Sequence, residues 1–416
     1  MKSVRVILVL CMLAVLVLGS VAFGEEKVTI NALFMKQAGY SEEDTAAGTK
    51  EFEKQNPNIK VQLTFVAYEE LEQKIITSAS SGSYDVVLSD GPFTPKFAQA
   101  GIVREMPKLS AAAVKDIFPG ALSAGMYKGK LYGMPWLNDC KYLFYNKKML
   151  QSAGFTAPPK TWEELLNQAK VIKEKGLVQY PIAWSWAQAE ALICDYTTLS
   201  CAFGGSMFDK NGKPQLTAAG NKKALDFMYN SIKSGISNPK STEFLEDDVK
   251  NSFAAGNAAF AINWTFAYAF AKDPTQSKVS QDVGVAIIPG SGKVVSATVN
   301  GGQPLSISAG SKHPKEAWQY IQFLSSKSFQ QKYCQNALPI WQSLYDDPKV
   351  IASNPEIAKV AKVQYNYFVN RPQVPYYSDF STKLQVLIQE VLLGKKTSTA
   401  ALKEAQAVAV GLAGKK

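Results

Sequence analysis

Apolar and polar positions fall into short alternating blocks over the first part of the chain. Val28–Met35 (VTINALFM) is a compact apolar run and predicts a strand. A helix is expected over Glu42–Gln55, ended by Asn56-Pro57-Asn58. Val61–Val66 reads as a second strand and Glu69–Ser80 as a helix. A Ser-Gly-Ser break follows, then a third strand over Tyr84–Leu88, ending in Ser89-Asp90-Gly91-Pro92. This βαβαβ order predicts a parallel sheet covered by helices. In such sheets ligands bind beyond the carboxyl ends of the strands, where Lys36-Gln37 and Ser89-Asp90 stand.

Gly129–Leu150 (GKLYGMPWLNDCKYLFYNKKML) holds two strand patterns, KLYGMP and CKYLFYN, separated by Trp136-Leu137-Asn138-Asp139. After Tyr145 the pattern turns helical. Thr161 and Glu164, three apart, form a capping-box signature. A strand is expected at Pro181–Trp184, then helices over Ala189–Cys201, Ala218–Ser234 and Asp247–Ala255. Strands return at Ala258–Trp264, Val283–Ile288 and Pro304–Ser308, and a helix begins behind His313-Pro314. From Leu344 on the chain reads mostly as helix. Its 416 residues predict two domains. No Pro/Gly-rich linker separates them, so the lobes are expected to share strands, with Trp136–Asp139 as one crossing.

The first residues read as a secretory leader. Lys2 and Arg5 precede the apolar run Val6–Leu18, and small residues follow in GSVAFG. Cleavage after Ala22 or Gly24 fits, with Gly24 favoured just before Glu25-Glu26, and the run is too short for a membrane span. Cys11 lies in the middle of the run, so no lipid anchor is expected, and a soluble periplasmic protein is. Removing the leader lowers the formal net charge from +10 to +8. The lysines are evenly spread with no dense basic run, which argues against nucleic-acid binding. Cys140, Cys194, Cys201 and Cys334 remain, too few for a disulfide framework. Two helical turns, roughly 10 Å, separate Cys194 from Cys201, too far for a bridge.

The segments FEKQNPNIKVQL, SYDVVLSDG, FAQAGIVREM, GKLYGMPW, LFYNKKMLQSAGF, KTWEELLNQAKVIKEKG, GNAAFAINW, HPKEAWQYIQFLSS and RPQVPYYSDF occur in one order over nearly the whole chain. In that set the sequence resembles the extracellular solute-binding proteins of family 1, the maltose-binding-protein-like receptors of ABC importers. The resemblance implies an α/β periplasmic-binding-protein-like fold of type II, with two lobes and three hinge crossings. By position the crossings fall at 136–139, 281–288 and 335–340. Lobe 1 is then 25–136 with 289–335, and lobe 2 is 140–281 with 341–416. It further implies a ligand held between lobes that close by hinge bending, a membrane permease as partner, a monomer, no cofactor and no catalysis. Cys140 follows the first crossing and Cys334 precedes the third, so a bridge between them is possible if the crossings run side by side.

A sugar has apolar C–H faces and a rim of hydroxyls, which suit aromatic rings and polar side chains respectively. Of seven tryptophans, Trp162 and Trp318 fall on helices and read as core, while Trp341 is undecided. Trp136, Trp184, Trp186 and Trp264 lie at strand ends. Trp136 and Asp139 read as a stacking wall with a hydroxyl acceptor, or as a packed ring beside a solvated carboxylate. In relatives a carboxylate contacts ligand at the position of Asp139, and an aromatic platform lies in the segment of Trp264. Trp184 and Trp186 share one side if the strand persists. Asp90 faces the cleft or caps the helix after it. Lys36 and Gln37 end the first strand, and Gly302, in Gly301-Gly302, allows close backbone approach or a plain turn. Arg371 and Tyr376 lie in a loop where relatives carry ligand contacts, although Arg371 equally suits a structural ion pair.

The chain departs from the maltodextrin pattern. Ser89 stands where those receptors have a tryptophan, and no second-lobe carboxylate is evident near Trp184–Trp186. A monosaccharide, disaccharide or polyol is therefore expected rather than a long α-glucan. The rival readings are a two-carboxylate glycosidase and a same-fold receptor for another solute. With His313 as the sole histidine, a Ser-His-Asp site or a zinc cluster is not expected. An amine solute calls for several cleft carboxylates, and the sequence offers only Asp90 and Asp139.

Overall fold

The computed structural model describes residues 27–36 and 39–414. The leader expected over 1–24 and the candidate Gln37 lie outside the described residues. β1 (Val28–Met35) pairs in parallel with β2 (Ile59–Val66), from Val28 opposite Ile59 to Met35 opposite Val66. Its other edge pairs in parallel with β3 (Val86–Leu88). The helix Glu42–Gln55 starts where Ser41 Oγ accepts the Asp44 N–H, with three acidic residues at the positive end of its dipole. A second helix, Tyr68–Ala79, returns the chain to β3.

Two strands from later in the chain complete this first sheet. β4 (Met134–Leu137) forms its edge. β5 (Tyr142–Asn146), β6 (Ile182–Ala183), β7 (Phe260–Asn263) and β8 (Val283–Ala286) form a second sheet, in the order β8-β5-β7-β6. β9 (Gln303–Ile307) then returns to the first sheet, whose order is β2-β1-β3-β9-β4. β9 is antiparallel to both β3 and β4, so the sheet is mixed rather than wholly parallel. The reason is the direction of return. The chain re-enters from the second sheet at the end where β3 finishes, and so must run back along it.

The first passage between sheets leaves β4 at Leu137 and enters β5 at Tyr142. Asn138 bridges to Leu338 on one side, and Cys140 bridges to Asn300 on the other. Three separate stretches of backbone therefore lie side by side. Asn138 Nδ2 donates to Pro339 O at 3.2 Å, and its own carbonyl accepts from Tyr365 Oη at 3.1 Å. The passage expected over 281–288 is elsewhere. Val283–Ala286 is paired antiparallel to β5, and Gly290 still bridges to Thr161 beside the second sheet. The chain returns at Asn300-Gly301-Gly302, so the stretch from 289 to about 300 belongs with the second sheet. A buried Val-Gly-Val-Ala strand satisfies its ladder, whereas a glycine pair suits a sharp passage.

The tryptophans at the end of β6 build the second core. Trp184 and Trp186 stack with ring centroids 4.8 Å apart and planes at 17°. Trp162, at the start of the helix Trp162–Glu174, packs on Trp184 at 5.9 Å. Thr161 caps that helix as its sequence predicts, but Glu164 reaches back to the Lys160 N–H. All four described cysteines are free thiols, Cys140 and Cys334 included. Among the described residues no helix is long and apolar enough to cross a membrane.

Candidate ligand-binding site

A cavity of about 410 Å³ lies between the two sheets. Met35 and Lys36 reach it from the end of β1, Asp90 from the end of β3, and Leu137 and Asp139 from the end of β4. The second sheet contributes Trp264 and Phe266 beyond β7, together with residues from the starts of two helices, Glu190–Ala202 and Glu246–Ala254. A larger cavity, about 600 Å³, adjoins it and shares Gly39, Asp247 and Phe266. In that larger space Lys250 is held by Asp247 at 2.7 Å and lies over the Phe270 ring. The buried charges gather in the smaller cavity, which is therefore the candidate site.

Two buried ion clusters flank it. In the first, Arg371 donates Nη2 to Asp90 Oδ1 at 2.8 Å and Nη1 to Glu190 Oε1 at 2.9 Å. Tyr68 Oη donates to the other Asp90 oxygen at 2.7 Å, and the Tyr377 hydroxyl donates to Glu190. Burial raises the Glu190 pKa, although Arg371, Ser381 and Tyr377 pull it down. Asp90 also accepts the Gly91 N–H and caps the short 3₁₀ turn that follows. Asp90 thus reaches the cavity as expected, but what it caps is this 3₁₀ turn; the helix after it, Thr94–Gln99, starts behind Phe93 without a side-chain cap.

In the second cluster Lys141 is fully buried. It donates to Asp195 Oδ1 at 2.6 Å and Ser185 Oγ at 2.9 Å, and lies 3.7 Å from Glu246 Oε1. Burial works against its charge, but Asp195 and Glu246 outweigh burial and raise its pKa. Glu246 Oε1 also accepts from Trp264 Nε1 at 3.2 Å, and Lys141 Nζ lies 5.1 Å from the Trp264 ring centroid. The indole is thereby pinned at its edge and on one face. Gly301 explains how the ring fits. A Cβ there would come within 2.5 Å of the indole, so only glycine lets the backbone lie against it.

Asp139 sits between the clusters. Its Oδ1 accepts from Thr265 Oγ1 at 2.6 Å, from the Cys140 N–H at 2.8 Å and from the Thr265 N–H at 3.2 Å. Burial lifts its carboxyl to about 7, against these hydrogen bonds and the pull of Lys141.

The sequence profile of the bacterial extracellular solute-binding proteins matches residues 37–331. The chain belongs to this family. A probable ABC transporter-binding protein of Deinococcus radiodurans is 32% identical over 310 residues, 71% of this chain and 72% of that one. Among solved structures, the maltose-bound T. maritima MalE3 superposes with a TM-score of 0.84 at 26% identity, covering 92% of this chain and 99% of that chain. An ABC transporter solute-binding protein from Agrobacterium radiobacter K84, in complex with ribitol, gives 0.81 at 26% identity, covering 93% and 99%. The type II fold expected from the resemblance is the fold of these solute-binding proteins.

Within this solute-binding fold, Lys36, Asp90, Asp139, Trp264 and Arg371 come together at one cavity. Four other candidates do not reach it, and another tyrosine supersedes a fifth. Trp136 is buried in the first core, 5.3 Å from the Phe34 ring and 4.8 Å from the Tyr40 ring, because alternation on β4 turns it inward. Trp184 and Trp186 face the second core, where Trp184 Nε1 donates to Ser237 at 2.9 Å. Gly302 is held in the passage, its carbonyl bonded to the Gly91 N–H, and its neighbour Gly301 lines the cavity. Tyr376 packs toward Phe208, while Tyr377 reaches the ion cluster.

Glu190, Glu246, Tyr68 and Gln303 line the site without having been singled out from sequence. Glu190 supplies the second-side carboxylate that seemed missing, four residues beyond Trp186. Both glutamates open helices, where acidic residues ordinarily serve the dipole, and this hides them. Lys141 left a clearer signal: a lysine inside an apolar strand must find a buried carboxylate.

Proposed function

We propose that this solute-binding protein holds a monosaccharide, disaccharide or polyol in the cavity between its sheets and hands it to the permease of an ABC importer. One observation carries the reading: an indole ring and a buried carboxylate, Trp264 and Asp139, line the same cavity. The ring offers a face to sugar C–H groups, and Asp139 Oδ2 accepts from a hydroxyl. The structurally similar proteins captured with maltose and ribitol support a hydroxylated ligand of this size. The two lobes, one on each sheet, bend about the adjacent passages at Asn138–Cys140, Asn300–Gly302 and Leu338–Ile340. The protein works as a periplasmic monomer after its leader is removed, binds no nucleic acid, and releases its ligand chemically unchanged.

A thermal-shift panel of sugars and polyols tests this. A ligand at one hundred times its Kd stabilises the folded form by about 2.7 kcal/mol, enough to raise Tm by several degrees. Absence of a shift with every sugar and polyol at millimolar concentration would overturn the reading. Recovery of a cleaved product would overturn the non-enzymatic part of it.

A further inference from the structure

The cavity lining carries Asp90, Asp139, Glu190 and Glu246 against Arg371, with Lys141 and Asp195 directly behind it. Arg371 is shared by Asp90 and Glu190, and Lys141 is shared by Asp195 and Glu246. Among the described residues Asp139 makes no ion pair within contact distance. Two buried cations therefore answer five carboxylates. The same lining also includes Lys36, Glu69, Asp247 and Asp248, and Asp247 already pairs with Lys250. The helices opening at Glu190 and Glu246 each lend about half an elementary charge at most. They reduce the surplus without cancelling it.

Two acceptors at the cavity stand open. All three hydrogen bonds to Asp139 end on Oδ1, and Oδ2 accepts none among the described residues. Asp139 is 5% exposed and lines the cavity. Gln303 Oε1 is likewise buried there without a partner. On the donor side, Arg371 Nε is buried without a partner, and Lys36 Nζ lines the cavity with no hydrogen bond or ion pair among the described residues. A neutral sugar satisfies acceptors but leaves the charge where it is. Burial pushes Asp139 to about 7 and raises Glu190. A metal ion is not the natural remedy, since among the described residues no cluster of three or more His, Cys, Asp or Glu is arranged to hold one.

We infer that the solute taken by this cavity is a carbohydrate or polyol bearing a protonated amine, its ammonium seated on Asp139 Oδ2 beside the Trp264 indole. The inference rests on the receptor reading and narrows it. Gly301 places the two groups together: its N–H donates to the Asp139 carbonyl at 3.0 Å, and its Cα lies against the Trp264 ring. An ammonium there gains from the carboxylate and from the indole face together.

Titration calorimetry at pH 7.5 on ligand-stripped protein compares each neutral probe with its amino counterpart. The pairs are glucose and glucosamine, galactose and galactosamine, mannose and mannosamine, sorbitol and glucamine, and cellobiose and the chitosan dimer. In the pair that binds, the amine is expected to bind at least ~10-fold tighter, about 1.4 kcal/mol. In Asp139→Asn that preference falls to within a few-fold. Equal or tighter binding of the neutral member overturns this inference and leaves the receptor reading standing. No binding by any probe, with no shift in the wider panel, overturns the receptor reading itself. The wild-type comparison decides the matter even if Asp139→Asn fails to fold.

Discussion

Arg371 Nη2 meets Asp90 Oδ1 at 2.8 Å, with both side chains about 97% buried. Asp90 ends β3 of the first sheet. Arg371 precedes the helix Tyr377–Leu392, which packs on the helices Glu190–Ala202 and Ala219–Lys233 of the second. One guanidinium therefore ties the two halves together at the cavity. Arg371→Ala strands Asp90 and Glu190 without their cation, and should cost about 3–5 kcal/mol of stability in urea unfolding. Arg371→Lys should recover less than half of that, because a lysine is a point charge and cannot engage both carboxylates as the planar fork does. Full recovery by lysine would mean that charge alone matters there.

Asp139 makes stability depend on pH in a direction opposite to that of a salt-bridged aspartate. Burial raises its folded pKa from 3.8 to about 7, so the folded state holds a proton that the unfolded state has lost. The stabilising contribution is full below pH 4 and fades as pH rises toward 7, by roughly 4 kcal/mol in all. Lys141 is the nearest cation, and Cys140, Tyr142 and Tyr345 nearby stay neutral throughout, their pKa values pushed up by burial. The stability of wild type relative to Asp139→Asn should therefore fall between pH 5 and 7 and level off above. Two curves that stay parallel over that range would refute it.

Trp264 and Trp184 should separate binding from folding. Trp264→Ala removes the indole from the cavity and should weaken the ligand found in the thermal-shift panel by about 2 kcal/mol, or ~30-fold. Trp184→Ala empties the second core and should cost about 3–5 kcal/mol of stability. Gly301→Ala is the finer probe, since its methyl meets the indole at 2.5 Å and must displace it. That variant should lose affinity by ~10-fold or more while its unfolding midpoint moves little. Unchanged affinity in calorimetry would show that the ring's placement is unimportant.

The fold was legible where local pattern and tertiary role agree. Val28–Met35 and Glu42–Gln55 have the expected boundaries because alternation, the Ser41 cap and the Asn-Pro-Asn stop all point the same way. The site was legible only in part. Trp136 and Trp264 both stand near strand ends, yet one faces a core and the other a cavity. The difference is set by strand register and by Gly301, some forty positions beyond Trp264 in the chain. Glu190 and Glu246 were obscured because a helix start explains an acidic residue without any cavity. The second passage was misplaced because Val283–Ala286 has no sequence feature saying which of two sheets it joins.

The thiols offer a direct check on the passages. Cys140, Cys194 and Cys334 are buried, and burial pushes the half-buried Cys201 up to about 12, so none should be a ready nucleophile. Native mature protein should react negligibly with a thiol reagent, and unreduced protein in denaturant should show four thiols. A count of two would reveal a bridge.

Lys141 gives the sharpest division between holding the fold and holding the ligand. Its ammonium is buried, bonded to Asp195 and Ser185, and close to Glu246, which in turn accepts from Trp264 Nε1. Lys141→Met leaves Asp195 charged and alone, at a cost of about 3–5 kcal/mol. Adding Asp195→Leu removes that stranded charge and should restore most of the stability, because a buried ion pair and a well-packed apolar pair are often close in free energy. Affinity should not return with it. Glu246 has lost the cation beside it, and the indole has lost the ammonium over its face, so the ring is held by one hydrogen bond rather than by a charged network. Unfolding midpoints and calorimetric affinities on the single and double variants resolve the two effects. If the double variant regains binding along with stability, Lys141 serves the fold alone and Trp264 needs no ionic support.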